Sequence, residues 1–192
     1  LYPPLGLAYI SASLKKNGYN PNVLDLSFDK EMEQVKQIEA NNGIYIISFV
    51  LTFADRVKRA IEIIRSKDKS AFILAGGPLP TAIKEKTLEN YDVDLAAIGE
   101  CELRLVDITD ALQTNGDLSK IDGIIFREND KIVMTGPAKY IQNLDDVPIP
   151  DQGAFPLDKY FKIKGFRELS ITASRGCPYR CIFCQPVLNN LF

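Results

Sequence analysis

Short apolar runs that end in glycine or another small residue recur along the first 110 residues and alternate with segments of helical periodicity. Four of these runs are predicted as buried strands, over residues 23–26, 44–50, 71–75 and 94–98. Strands that alternate with helices through short turns are typical of βαβ units and a parallel sheet. The sequence therefore predicts a flavodoxin-like, doubly wound α/β domain, with a further, first strand expected before Pro3.

The segments between these runs carry apolar residues at helical spacing. Helices are predicted over residues 5–16, 29–40, 53–64, 80–90 and 102–112. Thr52 precedes the third of them, where a hydroxyl can cap a helix. The run over residues 44–50 is continuously apolar apart from Ser48, which is typical of a central strand buried on both faces.

The pattern changes after residue 115. Residues 121–127 and 131–134 predict a β-hairpin, and residues 136–160 hold four prolines and little periodicity, as linkers do. A short strand is predicted over residues 169–173. We therefore expect an α/β domain over residues 1–115, a hairpin and proline-rich linker over 116–165, and the truncated start of a second domain over 166–192.

Composition excludes several functions. The chain has 23 Lys and Arg against 25 Asp and Glu, so it offers no electrostatic basis for binding nucleic acid. It has no histidine, which excludes catalytic triads and histidine metal sites. No apolar run approaches the ~18 residues of a membrane span, and no secretory signal is visible, so a cytoplasmic location is predicted.

Ligands of doubly wound sheets bind at the carboxyl ends of the strands. The candidate binding residues at these ends are Ser48, Thr52, Gly76, Gly77, Pro78, Gly99 and Glu100. Several of them also have a purely structural interpretation. The glycines suit tight turns, Thr52 suits a helix cap, and Glu100 suits the first turn of a helix.

Three of the four cysteines lie within eight residues, with the spacing C-x3-C-x2-C; they are Cys177, Cys181 and Cys184. Structural zinc needs four ligands, and the fourth cysteine, Cys101, is expected to be a partly buried side chain of the α/β domain. Three thiolates on one loop fit a [4Fe–4S] cluster with one open iron.

Residues 174–184 resemble the C-x3-C-x-aromatic-C motif of radical S-adenosylmethionine (SAM) enzymes, with Phe183 at the aromatic position. Residues 3–10, 75–78, 98–102 and 144–150 occur in the order found in cobalamin-binding radical SAM proteins. That group includes anaerobic oxidative cyclases acting on magnesium-protoporphyrin monomethyl ester, and many methylases. The chain resembles the N-terminal part of such a protein, and residues 169–173 correspond to the first strand of its barrel.

The resemblance implies cofactors and residue roles. The three clustered cysteines would hold a [4Fe–4S] cluster, SAM would bind the open iron and be cleaved to a 5′-deoxyadenosyl radical, and Phe183 would lie near the adenine. Cobalamin would lie over the sheet, without a protein imidazole, and would assist methyl transfer or oxidative cyclisation. Its contacts would come from Leu5, Gly6 and the strand-end residues Ser48, Thr52, Gly76, Gly77, Pro78, Gly99 and Glu100.

The same resemblance implies a small-molecule substrate and an external electron donor of the flavodoxin or ferredoxin type. A radical SAM barrel needs on the order of 200 residues, so the chain alone is not expected to turn over substrate. Arg175 and Arg180 beside the cysteines either tune the charge of the cluster or face solvent. Two alternatives stay open: an N-terminal domain that is a scaffold without cobalamin, and a stand-alone module that binds a corrinoid or another small ligand.

Overall fold

The computed structural model describes residues 2–177, 179 and 182. Its described part contains a five-stranded sheet in the spatial order β1 to β5. The strands are β1 (Ile44–Ser48), β2 (Phe72–Gly76), β3 (Leu95–Ala97), β4 (Ile124–Glu128) and β5 (Lys131–Met134). The first three are parallel, and β4 runs antiparallel to both of its neighbours.

Helices cover both faces of this sheet. They are α1 (Leu5–Lys16), α2 (Glu33–Lys36), α3 (Ala54–Lys67), α4 (Pro78–Ile83), α5 (Lys86–Asn90), α6 (Arg104–Thr114) and α7 (Leu157–Lys164). Alternate side chains of β2 point to opposite faces. Ile73 packs with Ile61 and Ile64 of α3, while Leu74 packs in a second core with Leu14 of α1 and Ile108 of α6. This two-sided packing confirms the predicted flavodoxin-like α/β fold.

Strand β1 differs from its predicted central position. Tyr45 and Ile47 pack against one core and Ile46 against the other, as two-sided burial requires. Within the described sheet, however, β1 pairs only with β2 and forms its edge. All five residues of β1 are therefore half-buried. An apolar run predicts covered faces, but it contains no information about how many neighbours a strand has.

The strand predicted over residues 23–26 is wrong. Asp25 instead begins a 3-10 turn (Leu26–Phe28), and its carboxylate accepts the Ser27 N–H at 3.0 Å. The Gln34 side chain donates to the backbone carbonyl of Asp25 at 3.1 Å, and the Tyr160 hydroxyl donates to its carboxylate at 2.7 Å. Side chains satisfy the polar groups that a strand would pair with a neighbour.

Two predicted helices are shorter than their apolar spacing suggested. The helix over 29–40 is reduced to α2, because Met32 has a φ of 59° and the Asp29 carboxylate accepts the N–H groups of Glu33 and Gln34. The helix over 80–90 is split into α4 and α5 by Lys84, whose φ is 51°. Periodicity does not show where a single residue leaves the helical region.

Thr52 does not cap α3. It lies inside a 3-10 turn (Leu51–Phe53), and Phe53 precedes the helix without a side-chain capping bond. The longest helix in the described ranges is α3, with 14 residues, and none of the helices there could span a bilayer.

The predicted hairpin is confirmed, and it belongs to the main sheet, since β4 pairs with β3. The linker contains α7, which its composition did not predict. Residues 169–173 are described but form no strand. Their polar groups bond to side chains instead: Gln152 donates to the Ser170 carbonyl at 2.7 Å, and the Thr172 N–H donates to the Tyr9 hydroxyl at 3.0 Å.

Candidate functional site

The carboxyl ends of β1 and β2 meet at one edge of the sheet. Ser48 and Gly76 are register partners, and the Phe49 N–H donates to the Gly76 carbonyl at 3.2 Å. Gly77 has a φ of 94°, and a Cβ there would lie 2.8 Å from the Ser48 Oγ. Glycine is therefore required at position 77 because the segments after β1 and β2 approach closely there. This agrees with the structural interpretation of Gly77 as a turn residue.

The other candidate glycines are not explained by packing in the same way. A Cβ on Gly76 would meet only the Ala97 carbonyl oxygen, at an ordinary 3.9 Å, and a Cβ on Gly6 would meet nothing within 4 Å. Gly99 has a φ of 73° and donates its N–H to the Thr81 hydroxyl at 3.0 Å. Because Gly76 has no side chain, its backbone is not covered at this edge, which would allow a ligand to approach it closely.

Apolar side chains stand exposed beside this edge. Leu51 is 73% exposed and Phe53 is 52% exposed in the turn after β1, and Leu103 is 37% exposed in the turn after β3. Ligand sites are commonly lined by apolar side chains, so these three residues are further candidates for ligand contact at this edge. None of these three residues was among the predicted binding residues; for Leu51 and Phe53 the available signal was an apolar run that continues past the end of β1.

The residues at this edge are chemically compatible with the cobalamin that the sequence resemblance implies. It combines apolar side chains, the half-buried Ser48 hydroxyl, the exposed Thr52 hydroxyl and glycine backbone, and the chain has no imidazole to bind cobalt. Pro78 is exposed at the start of α4 on the same edge. Leu5 and Gly6 lie in the first turn of α1 rather than at a strand end.

Glu100, just after β3, is buried and makes an ion pair. Its Oε1 accepts from Arg175 Nη1 at 2.8 Å, and its Oε2 accepts the Ile141 N–H at 2.8 Å. The other guanidinium nitrogen, Nη2 of Arg175, lies 2.8 Å from Glu102 Oε1. We call Arg175, Glu100 and Glu102 the carboxylate clasp. Both carboxylate oxygens of Glu100 bind protein groups here, so its direct contact with cobalamin stays a prediction.

The clasp brings a distant segment to the site. Arg175 also lies over the Tyr9 ring of α1, with its guanidinium carbon 5.4 Å from the ring centroid. Its side chain is 13% exposed, so of the two interpretations of Arg175 the solvent-facing one is wrong. The chain entering the cysteine motif is thus fixed to the same edge as the strand-end glycines, a pairing across 75 positions that local patterns cannot show.

The cysteine motif lies mostly outside the described residues. Cys177 is described and exposed, whereas Cys181, Cys184, Phe183 and Arg180 are not described. No group of three His, Cys, Asp or Glu side chains with the geometry of a metal site occurs among residues 2–177, 179 and 182. The cluster and SAM contacts therefore stay predictions.

Cys101 is the other described cysteine, and it is partly buried as predicted. Burial raises the pKa of its thiol to about 11. A thiol with that pKa is protonated at neutral pH, and metal ligation requires the thiolate. This supports its exclusion from the ligand set.

Comparison with known proteins shows the family of this chain. A family model described as the B12 binding domain matches residues 1–109. An uncharacterized methyltransferase of Pyrococcus horikoshii, PH0819, is 32% identical over 194 residues, which is 97% of this chain and 41% of that protein. The anaerobic magnesium-protoporphyrin IX monomethyl ester cyclase of Synechocystis sp. is 31% identical over 188 residues, 95% of this chain and 38% of that protein. The chain spans about two fifths of the length of these curated relatives.

Solved structures share the fold. The cobalamin-dependent SAM radical enzyme OxsB, with aqua-cobalamin and SAM bound, superposes with a TM-score of 0.74 at 21% identity, over 96% of this chain and 26% of OxsB. The radical SAM methyltransferase TsrM from Kitasatospora setae, with cobalamin and a [4Fe–4S] cluster bound, gives a TM-score of 0.62 at 17% identity, over 71% of this chain and 28% of TsrM. The predicted resemblance to cobalamin-binding radical SAM proteins is confirmed, and since the family model covers more than half of its length, this chain belongs to the B12-binding domain family.

Proposed function

We propose that this chain is the cobalamin-binding and cluster-bearing part of a radical SAM enzyme that transfers a methyl group or performs an oxidative cyclisation. One observation carries the proposal. The segment that enters the cysteine motif is held, through Arg175, at the carboxyl edge of a B12-binding domain. The relatives' names include both a methyltransferase and a cyclase, which supports either reaction.

The carboxyl edge would hold cobalamin. Its binding residues would be Leu5, Gly6, Ser48, Thr52, Gly76, Gly77, Pro78 and Gly99, with Glu100 beside them. When bound, cobalamin supplies a methyl group or takes part in electron transfer. Gly76 would let the cofactor approach the backbone, Leu51 and Phe53 would cover its apolar surface and exclude water, and Ser48 and Thr52 would donate hydrogen bonds to it.

The cysteine motif would hold the cluster. Cys177, Cys181 and Cys184 would bind three irons as thiolates and leave the fourth for SAM, with Phe183 beside the adenine. When bound, the cluster supplies the electron that cleaves SAM, and a flavodoxin- or ferredoxin-type protein would be its reductant. The substrate is proposed to be a small molecule.

Anaerobic reconstitution with iron and sulfide tests the cluster assignment. Wild type and the matched control Cys101→Ala should bind about four irons per chain and develop the broad absorbance of a [4Fe–4S] cluster. Cys177→Ala and Cys181→Ala should lose that absorbance, because two thiolates do not hold the cluster. Full loading of Cys181→Ala, or a loss in Cys101→Ala equal to that in Cys177→Ala, would contradict the assignment.

A further inference from the structure

We propose that the carboxylate clasp is a positioning device: Arg175, held by Glu100 and Glu102, sets where Cys177, the first cysteine of the motif, lies relative to the carboxyl edge of the sheet. The clasp itself rests on the contacts of described residues. Its consequence for the cluster rests on the proposed function.

Both carboxylates of the clasp are largely buried and paired with protein groups. The side chains of Glu100 and Glu102 are 4% and 11% exposed. Besides Arg175, Glu100 accepts the Ile141 N–H and Glu102 accepts the Cys101 N–H at 3.1 Å. Buried carboxylates are tolerated only when they are paired and hydrogen-bonded. Arg175 supplies the cation that pairs with both acids.

The geometry of arginine matters here. One guanidinium nitrogen faces Glu100 and the other faces Glu102, both at 2.8 Å. A planar guanidinium can bridge two carboxylates in this way, whereas a lysine ammonium is a single point charge. This fork fixes the orientation of Arg175 as well as its position.

The clasp joins the two ends of the linker region. Glu100 holds Ile141, where the chain has just left the hairpin, and Arg175, where the chain approaches the cysteine motif. Cys177 follows Arg175 by two residues, which span at most ~7 Å of extended chain. Fixing Arg175 therefore confines Cys177 to a small region beside the carboxyl edge, where cobalamin would bind.

The Thr172 amide reports on the docked segment, because its N–H donates to the Tyr9 hydroxyl only while the segment lies on α1. In Arg175→Gln we expect the exchange of this amide, measured by NMR in deuterated buffer, to accelerate roughly tenfold to a hundredfold. Arg175→Lys should restore part of the protection. The amides of β2 should exchange as in wild type, since the sheet does not depend on the clasp.

Arg65→Gln is a matched control. Arg65 is 19% exposed and pairs with Asp94 at 2.8 Å at the opposite end of the sheet. The Arg65→Gln substitution should leave the exchange rate of the Thr172 amide unchanged. If Arg175→Gln alone does not fold, the triple variant Glu100→Gln/Glu102→Gln/Arg175→Gln leaves no unpaired charge behind and should show the same acceleration. Thr172 exchange within about twofold of wild type in the triple variant would overturn the proposal.

The outcome is separable from the proposed function. If the wild-type chain binds neither iron nor hydroxocobalamin, but Thr172 amide exchange still accelerates in Arg175→Gln, the clasp is supported and the proposed function is contradicted. If loading is normal and Thr172 does not respond, the function stands and the clasp falls.

Discussion

The two ends of the parallel strands are built from different chemistry. At the amino ends, acidic side chains accept backbone N–H groups directly. Asp68 Oδ2 accepts from Asn41 and Gly43, both at 3.2 Å, and Asp94 Oδ2 accepts from Ile73 at 2.7 Å and from Arg65 at 2.8 Å. At the carboxyl ends, the residues are mostly glycines and exposed apolar side chains. The ion pairs there join Glu100 and Glu102 to Arg175.

The amino ends of the strands therefore have a stabilising role, whereas the carboxyl ends have the features of a binding site. The partners at the amino ends lie within 29 positions of one another, so local chain closes that end. The clasp at the carboxyl end joins residues 75 positions apart and brings in the cysteine motif. The acidic side chains at the amino ends are hydrogen-bonded to the strands and the segments before them. At the carboxyl ends, glycine backbone and hydroxyl groups are available to bind a ligand.

The largest expected effect comes from placing a side chain at Gly77. In Gly77→Ala, a φ of 94° and a Cβ 2.8 Å from Ser48 Oγ and 3.1 Å from the Phe49 nitrogen force the edge apart. We expect a loss of about 2–4 kcal/mol in the free energy of unfolding, measured by urea denaturation. Gly76→Ala is the control, because its Cβ meets nothing closer than 3.9 Å. Equal stability of the two variants would show that the carboxyl edge is not tightly built.

A smaller effect is expected from Asp68→Asn at the amino end. Burial by itself favours the protonated acid, but hydrogen bonds from the Ser70 hydroxyl and from the N–H groups of Gly43, Asn41 and Ser70 outweigh it and lower the pKa of Asp68. A lowered pKa in the folded state stabilises the fold above the unfolded value, and this contribution is lost as pH falls through the folded value. Wild type should therefore exceed Asp68→Asn in stability at neutral pH.

The pH dependence is the sharper part of that prediction. Chemical denaturation at a series of pH values should show the difference between wild type and Asp68→Asn constant above pH ~5 and shrinking below pH ~4. Asp145→Asn, at an exposed turn of the linker, controls for the loss of one negative charge. A difference between wild type and Asp68→Asn that does not change with pH would mean that the carboxylate charge does not hold the amino end together.

Local patterns predicted the elements whose residues determine them locally. Helix α1, strand β2 and the hairpin followed from spacing and turn residues; the hairpin turns through Asn129 and Asp130, both with positive φ. The strand over 23–26 failed because a strand needs a neighbour, and Asp25 is satisfied by side chains instead. Helices over 29–40 and 80–90 broke at single residues, Met32 and Lys84, which periodicity does not reveal.

The candidate site was predictable in its parts but not in its assembly. The strand-end glycines and Glu100 were predicted as candidate binding residues because ligands of such sheets bind at the carboxyl ends of the strands. Arg175 was visible beside the cysteines, yet nothing in either local pattern pairs it with Glu100 and Glu102, because that contact exists only once the linker has returned to the sheet. Leu51 follows the apolar run over residues 44–50 directly, and only the folded chain shows that its side chain is exposed.

The most direct test of the central claim is an anaerobic titration with hydroxocobalamin, followed by absorption. The account predicts saturable binding by the wild-type chain, with a spectrum that lacks an imidazole ligand from the protein. The variant Leu51→Ser/Phe53→Ser should bind roughly tenfold more weakly, because apolar cover at the carboxyl edge is lost. Ile149→Ser, which changes an 87% exposed side chain of the linker, should bind like wild type. Absence of saturable binding by the folded wild-type chain, or equal affinity of all three proteins, would contradict the claim that this edge binds cobalamin.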